Sequence, residues 1–181
     1  MDYNEEAKKL VLAGKPIPPE WRDKVTALDF VRVHLPLSKG MTMLSGDREI
    51  PIGPMPIDDL RPLAGLIALQ RLSFRGMPVS DVGPLAGLTA LRELSLWETL
   101  VSDLRPLSGL ATLQRLYLVG SPVRDLTPLA GLTALEMLSL ERTQVSDLTP
   151  LARLPALRVL NIEGTTIRDL TPVKHVKNIY R

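Results

Sequence analysis

Six aspartates stand 22 residues apart: Asp59, Asp81, Asp103, Asp125, Asp147 and Asp169. Carboxylates repeated on successive coils are one way to hold calcium, but that ion needs several oxygens at each site. Every one of these aspartates precedes a proline-containing turn, whose free N–H groups a carboxylate can accept. The column therefore reads as structural. Gly65, Gly87, Gly109 and Gly131 recur at the same interval without the Lys-Ser/Thr of a phosphate loop. Gly14-Lys15 is followed by proline, and His34 and His175 lie far apart with no ligand pattern around them. Cysteine is absent, which removes a thiol nucleophile and any thiolate metal site. No residues are left to carry catalysis, a cofactor or a metal.

Recognition is the chemistry that remains. Three further columns at the same interval vary in residue type. One reads Arg71, Glu93, Arg115, Met137, Val159; the next reads Ser73, Ser95, Tyr117, Ser139, Asn161; the third reads Arg75, Trp97, Val119, Glu141, Glu163. Only 4% of the chain is aromatic, so a Trp and a Tyr in these columns stand out. Trp, Tyr and Arg are over-represented among interface hot spots. The candidate partner-binding set is Arg71, Arg75, Glu93, Trp97, Arg115, Tyr117, Val119, Met137 and Glu141. Scattered surface residues are the plain alternative, and Arg75 over Trp97 can also be a local cation–π pair. Along the columns, Arg71, Arg75 and Arg115 lie towards the N-terminal side, with Glu141 and Glu163 towards the other.

The elements that position these columns follow from a strict repeat. Five copies run 57–78, 79–100, 101–122, 123–144 and 145–166, and a partial copy fills 167–181. Each approximates V-S-D-L-x-P-L-x-G-L-x-x-L-x-x-L-x-L-x-x-T-x. A fixed period in this range, with L-x-x-L-x-L inside it, marks a solenoid. In Leu91–Leu96, Leu94 and Leu96 alternate with Glu93 and Ser95, the period of a short half-buried strand. Stacked coils set such strands side by side in a parallel sheet, about 4.8 Å apart. Prolines at 62, 84, 106, 128, 150 and 172 bar a strand on the opposite wall and suit the first turn of a short α or 3₁₀ segment.

The stretch "VSDLTPLARLPALRVLNIEGTT" and its copies resemble the leucine-rich repeat family, in the 22-residue bacterial form found in internalin-like proteins. The resemblance covers about 57–181 and implies an α/β repeat solenoid: a horseshoe with a concave parallel β-sheet and short convex turns. It also implies a recognition scaffold, with a protein or peptide on the concave face. The family's Asn after the strand is replaced here by Met77, Thr99, Ser121, Thr143 and Thr165. Hydroxyls at those places are expected to make a shorter, weaker ladder between coils.

Upstream the period fades. Stepping back from Leu72/Phe74 reaches Ile50/Ile52 and then Leu28/Phe30, so 28–56 is read as two degenerate coils, part of it an irregular loop. Residues 1–27 read as an N-terminal helical cap. Asn4 is the expected N-cap, Glu5 and Glu6 occupy the first turn, Lys8 and Lys9 follow, and Gly14 ends the helix. Ala7, Leu10 and Val11 supply its apolar face, and Trp21 is expected to cover the open end of the first coil. At the other end the chain reaches Ile179-Tyr180-Arg181 just where a further strand would begin, which leaves a C-terminal edge open to a second copy.

Net charge is +2, from 22 basic and 20 acidic residues that are interspersed, so the basic stripe of a nucleic-acid binder is missing. No apolar run approaches the roughly 18 residues of a membrane span, and the first residues lack the apolar core of a secretory signal. The sequence thus reads as a cytoplasmic, non-enzymatic protein-binding module, with export as an effector without a cleaved signal as the other version of that reading. A self-assembling structural protein joined through the C-terminal coil is the second reading.

Overall fold

The computed structural model describes residues 2–13, 15–31, 42–45, 48–51 and 58–181. Leucine spacing dictates its architecture. A helix, α1 (Tyr3–Leu12), is followed by β1 (Ala27–Val31), β2 (Thr42–Ser45) and β3 (Arg48–Pro51). Then come β4 (Arg71–Arg75), β5 (Glu93–Trp97), β6 (Arg115–Tyr117), β7 (Met137–Ser139), β8 (Val159–Asn161) and β9 (Asn178–Tyr180). All but β2 and β3 form one parallel sheet, in the order β1-β4-β5-β6-β7-β8-β9. Each coil returns to the sheet through a 3₁₀ turn with proline at its second residue, as in Arg105–Leu107 and Thr149–Leu151. The chain is thus a repeat solenoid with a sheet on one wall, 3₁₀ turns on the other and a helix at its N-terminal end.

Aliphatic columns fill the space between the walls. Leu94, Leu116, Leu138 and Leu160 of the strands are fully buried, as are Leu85, Leu107, Leu129 and Leu151 of the turns. Burying one such side chain contributes about 1.5–3 kcal/mol, so stacking identical coils stabilises the molecule mainly by contact between neighbours. The aspartate column has the role its position suggested. Asp59, Asp81, Asp103, Asp125, Asp147 and Asp169 each accept the backbone N–H two residues on, at 2.7–2.9 Å, and so lock the entry to the 3₁₀ turn.

Four expectations need correction. The hydroxyls of Thr99, Ser121, Thr143 and Thr165 donate to the carbonyl three residues back in their own coil, at 2.6–2.9 Å. A hydroxyl is too short to bridge to the next coil as an amide does. Coils are joined there by backbone bonds instead, for example Glu98 N to Val119 O and Gly120 N to Glu141 O.

Upstream, β1 pairs directly with β4, Leu28 beside Leu72, a step of two periods. Ile50 lies in β3, which pairs antiparallel with β2 and not with the seven-stranded sheet, Met43 beside Ile50. Among the described residues, only the first of the two degenerate coils read over 28–56, the one at Leu28, places a strand in the seven-stranded sheet; Ile52 lies outside the described residues.

At the far end, the 178–180 segment does form a strand. Val159 pairs with Asn178, 19 positions on and three short of a period. Pro155-Ala156-Leu157 of the preceding copy has no counterpart between Val176 and Lys177, so the last coil takes a shorter path.

The helix is capped by Asp2, not Asn4. Asp2 Oδ1 accepts from Asn4 N at 3.0 Å and Glu5 N at 3.3 Å. Asn4 Oδ1 instead accepts from Thr26 N at 2.9 Å and Ala27 N at 3.4 Å, which pins α1 to the start of β1. Ala7 and Val11 are buried, while Leu10 is only half-buried. Trp21 packs against the core and meets Tyr3 edge-to-face at 5.5 Å. Gly14 lies outside the described residues.

The concave cleft as candidate binding site

Residues flanking the buried pair of each strand point to the sheet's outer face, and parallel pairing sets them in rows. Ser73, Ser95 and Tyr117 are register partners across β4, β5 and β6, as are Arg71, Glu93 and Arg115. Arg75 is beside Trp97, and its guanidinium lies over the indole, 3.9 Å from the ring centroid. Such a pair is worth about 0.5–1 kcal/mol at an exposed site. Its larger consequence is positional. The indole occupies the guanidinium face, and the in-plane N–H donors make no hydrogen bond among the described residues, so a carboxylate can take them.

A cleft of about 610 Å³ opens here. Its floor is the outer face of β1 and β4–β6, and one wall is the polar side of α1. Five of the nine candidates line it: Arg71, Arg75, Glu93, Trp97 and Tyr117. Ser73 and Ser95 lie between them. Arg115, Val119, Met137 and Glu141 are outside it. Arg115 extends from the adjoining strand to Glu93, Nε to Oε2 at 3.0 Å. Both partners are partly exposed, so the pair adds at most about 1 kcal/mol. Val119 is only 3% exposed. As the smallest side chain of its column, it sits between the coils of Trp97 and Glu141 and offers a partner almost nothing. Met137 and Glu141 are half-buried beyond the cleft, where Glu141 engages Arg142 at 3.4 Å.

The cleft also contains residues that the column analysis missed: Asp2, Asn4, Glu5 and Lys8 of the capping region, and Asp29 of β1. Asp29 was recoverable. It stands between Leu28 and Phe30 and pairs with Ser73, two periods downstream. The helix side chains carry no such signal, because periodicity cannot say how a cap docks. Their presence changes the charge pattern. The arginines of β4 do not begin a simple gradient; acidic side chains lie on both sides of them.

Tyr117 sits in this mixed field. Burial pushes its phenol above the usual tyrosine range, the Glu93 carboxylate adds to the shift, and Arg115 opposes it. Its hydroxyl has no hydrogen-bond partner among the described residues, which leaves both donor and acceptor available to a ligand. No group of acidic, histidine or cysteine side chains among the described residues is arranged to hold a metal ion. His175 Nε2 is spent on Leu154 O at 3.1 Å. No described helix is long and apolar enough to cross a membrane.

No protein-family model matches the sequence, and no curated protein matches it significantly. Solved structures do. An internalin (InlF) from Listeria monocytogenes strain 4b F2365 aligns at 40% identity and a TM-score of 0.63, over 68% of this chain and 36% of its own. Internalin C2 from the same strain aligns at 29% identity and a TM-score of 0.68, over 91% of this chain and 73% of its own. The chain thus spans little more than a third of the first of these proteins.

Proposed function

Because this chain is a leucine-rich repeat protein of the internalin-like type, we propose that it is a non-catalytic module that binds a partner protein in the cleft between α1 and the sheet. The carrying observation is the cleft itself, in which Trp97, Tyr117, Arg71 and Arg75 converge on a rigid parallel sheet. A site on strands holds its side chains more closely than one on loops. Apart from the buried Phe74, Trp97 and Tyr117 are the aromatic side chains of the five full copies, and neither belongs to the columns that fill the core.

The centre of the site lies at β4–β6. Towards β8 the same columns hold Val159, Asn161 and Glu163, where Asn161 Oδ1 accepts from Glu163 N at 2.9 Å. The aromatic in register with these columns at that end is Tyr180 of β9, beside Asn161 and three strands away from Tyr117.

The test is affinity capture with the full chain, comparing wild type with Trp97→Ala/Tyr117→Ala and with a convex-side control, Ala111→Ser. Loss of specific partners from the double variant alone supports the cleft. An unchanged partner set, with folding confirmed by circular dichroism, removes it as the site.

A further inference from the structure

The charges of the cleft specify more than a protein partner. Asp29 on β1 is exposed, and neither it nor Arg71 has an ion-pair partner among the described residues. Asp29 is directly beside Ser73, so Arg71 and Arg75 are its diagonal neighbours on β4. Arg75 is turned onto Trp97 of β5, away from β1. Opposite charges therefore lie side by side in the floor without neutralising one another, and Asp2 adds a second carboxylate on the α1 side.

We infer that the cleft takes a linear, mixed-charge segment of a protein: a Lys or Arg against Asp29 and Asp2, and an Asp or Glu two residues away against Arg71 and Arg75. This rests on the cleft being the partner site. The spacing follows from geometry. Strands β1 and β4 are about 4.8 Å apart. An extended peptide crossing them rises about 3.3 Å per residue and presents alternate side chains to the floor. Side chains two apart, about 6.6 Å, thus come within about 2 Å of the roughly 7–8 Å between diagonal neighbours such as Asp29 and Arg71. A uniformly acidic segment meets repulsion at Asp2 and Asp29, and a uniformly basic one meets it at the arginines. Continuing across the sheet, the next inward side chain reaches Trp97 and Tyr117, where an apolar residue fits.

The experiment pans a display library of random linear nine-residue peptides on the full chain, then measures synthetic copies of the selected peptides by fluorescence anisotropy. The expected selection is enriched in a basic and an acidic residue two positions apart. Arg71→Glu and Asp29→Lys each weaken binding about tenfold, and the effect shrinks in high salt. The double variant Asp29→Lys/Arg71→Glu selects the reversed charge order. Circular dichroism confirms that these exposed-site variants fold. Selected peptides that lose binding with Trp97→Ala/Tyr117→Ala but ignore the charge variants overturn the inference and leave the cleft as the site. Peptides that bind every variant alike overturn both. A library that yields no enriched peptide also overturns the inference, while partner capture still tests the cleft independently.

Discussion

At the residue scale, the cleft is defined by a few side chains whose neighbours set their chemistry. Tyr117 shows this best. Its phenol is destabilised as an anion first by burial and then by Glu93, so it ionises above the ordinary range near pH 10. Spectrophotometric titration of wild type and Tyr117→Phe isolates its transition, and Glu93→Gln moves that transition down. No movement in Glu93→Gln would mean that burial alone sets the shift. The column rule located Tyr117, Trp97 and the Arg75 contact from sequence because strand alternation fixes which face a side chain takes. It misjudged Val119, since alternation gives direction and not exposure. A short side chain between larger neighbours is covered whichever way it points. Asp29 was legible from its place between Leu28 and Phe30, whereas the helix residues depend on a docking angle set by Asn4, whose carbonyl binds β1 backbone amides.

At the scale of the element, one coil carries two devices that the sequence shows unequally. The aspartate before each 3₁₀ turn was readable from spacing, because a carboxylate ahead of a proline turn has an obvious donor two residues on. In the fold, the carboxyls of Asp125 and Asp147 are held below the usual range chiefly by the side chains of Thr127 and Thr149 and then by their backbone amides; for Asp169 the backbone amide of Thr171 leads. A lowered folded-state value means that stability is present above the unfolded carboxyl pKa, about 3.9. It is lost as pH falls through and below that value. Thermal melts from pH 7 to 3 should show Tm dropping below about pH 4. Replacing these three by Asn, which accepts but does not titrate, should make that acid limb shallower; an unchanged limb would assign it to other carboxylates.

The second device of the coil, the turn after the strand, was not legible. Gly76, Glu98, Gly120, Arg142 and Gly164 occupy one place in successive coils, and all have φ between 53° and 69°. Glycine appears in only three of the five, so the left-handed requirement is hidden in the sequence. A β-carbon at Gly164 would meet Arg142 Cγ at 3.0 Å. Gly164→Ala is therefore expected to cost about 1–2 kcal/mol in urea unfolding. Glu98→Gly relieves the same strain and should lie within about 1 kcal/mol of wild type.

At the scale of the whole molecule, stability and assembly both depend on how a solenoid treats its ends. Interior coils are packed on both sides, so Leu116→Ala should cost about 2–5 kcal/mol. Ile179 is half-buried and packs on the core from one side only, so Ile179→Ala should cost less. The same position decides whether copies join. Strand β9 is the last of the sheet, and beside its half-buried Ile179 stands Tyr180, 56% exposed. Those features favour edge-to-edge pairing, the basis of the self-assembly reading. Against it, β9 is three residues long and is bracketed by the exposed Lys177 and Arg181, which two copies would bring together with like charge. Short strands and flanking lysines are the usual means by which an edge avoids pairing, and one Ile and one Tyr on a three-residue edge fall far short of the roughly 1,000 Å² that a stable interface buries. Size-exclusion chromatography with light scattering across a hundredfold concentration range should therefore return a single mass near that of one chain. Ile179→Lys should lower Tm and leave that mass unchanged. A mass that rises with concentration, and falls back in Ile179→Lys, would instead make the C-terminal edge the functional surface and reduce the concave cleft to a secondary feature.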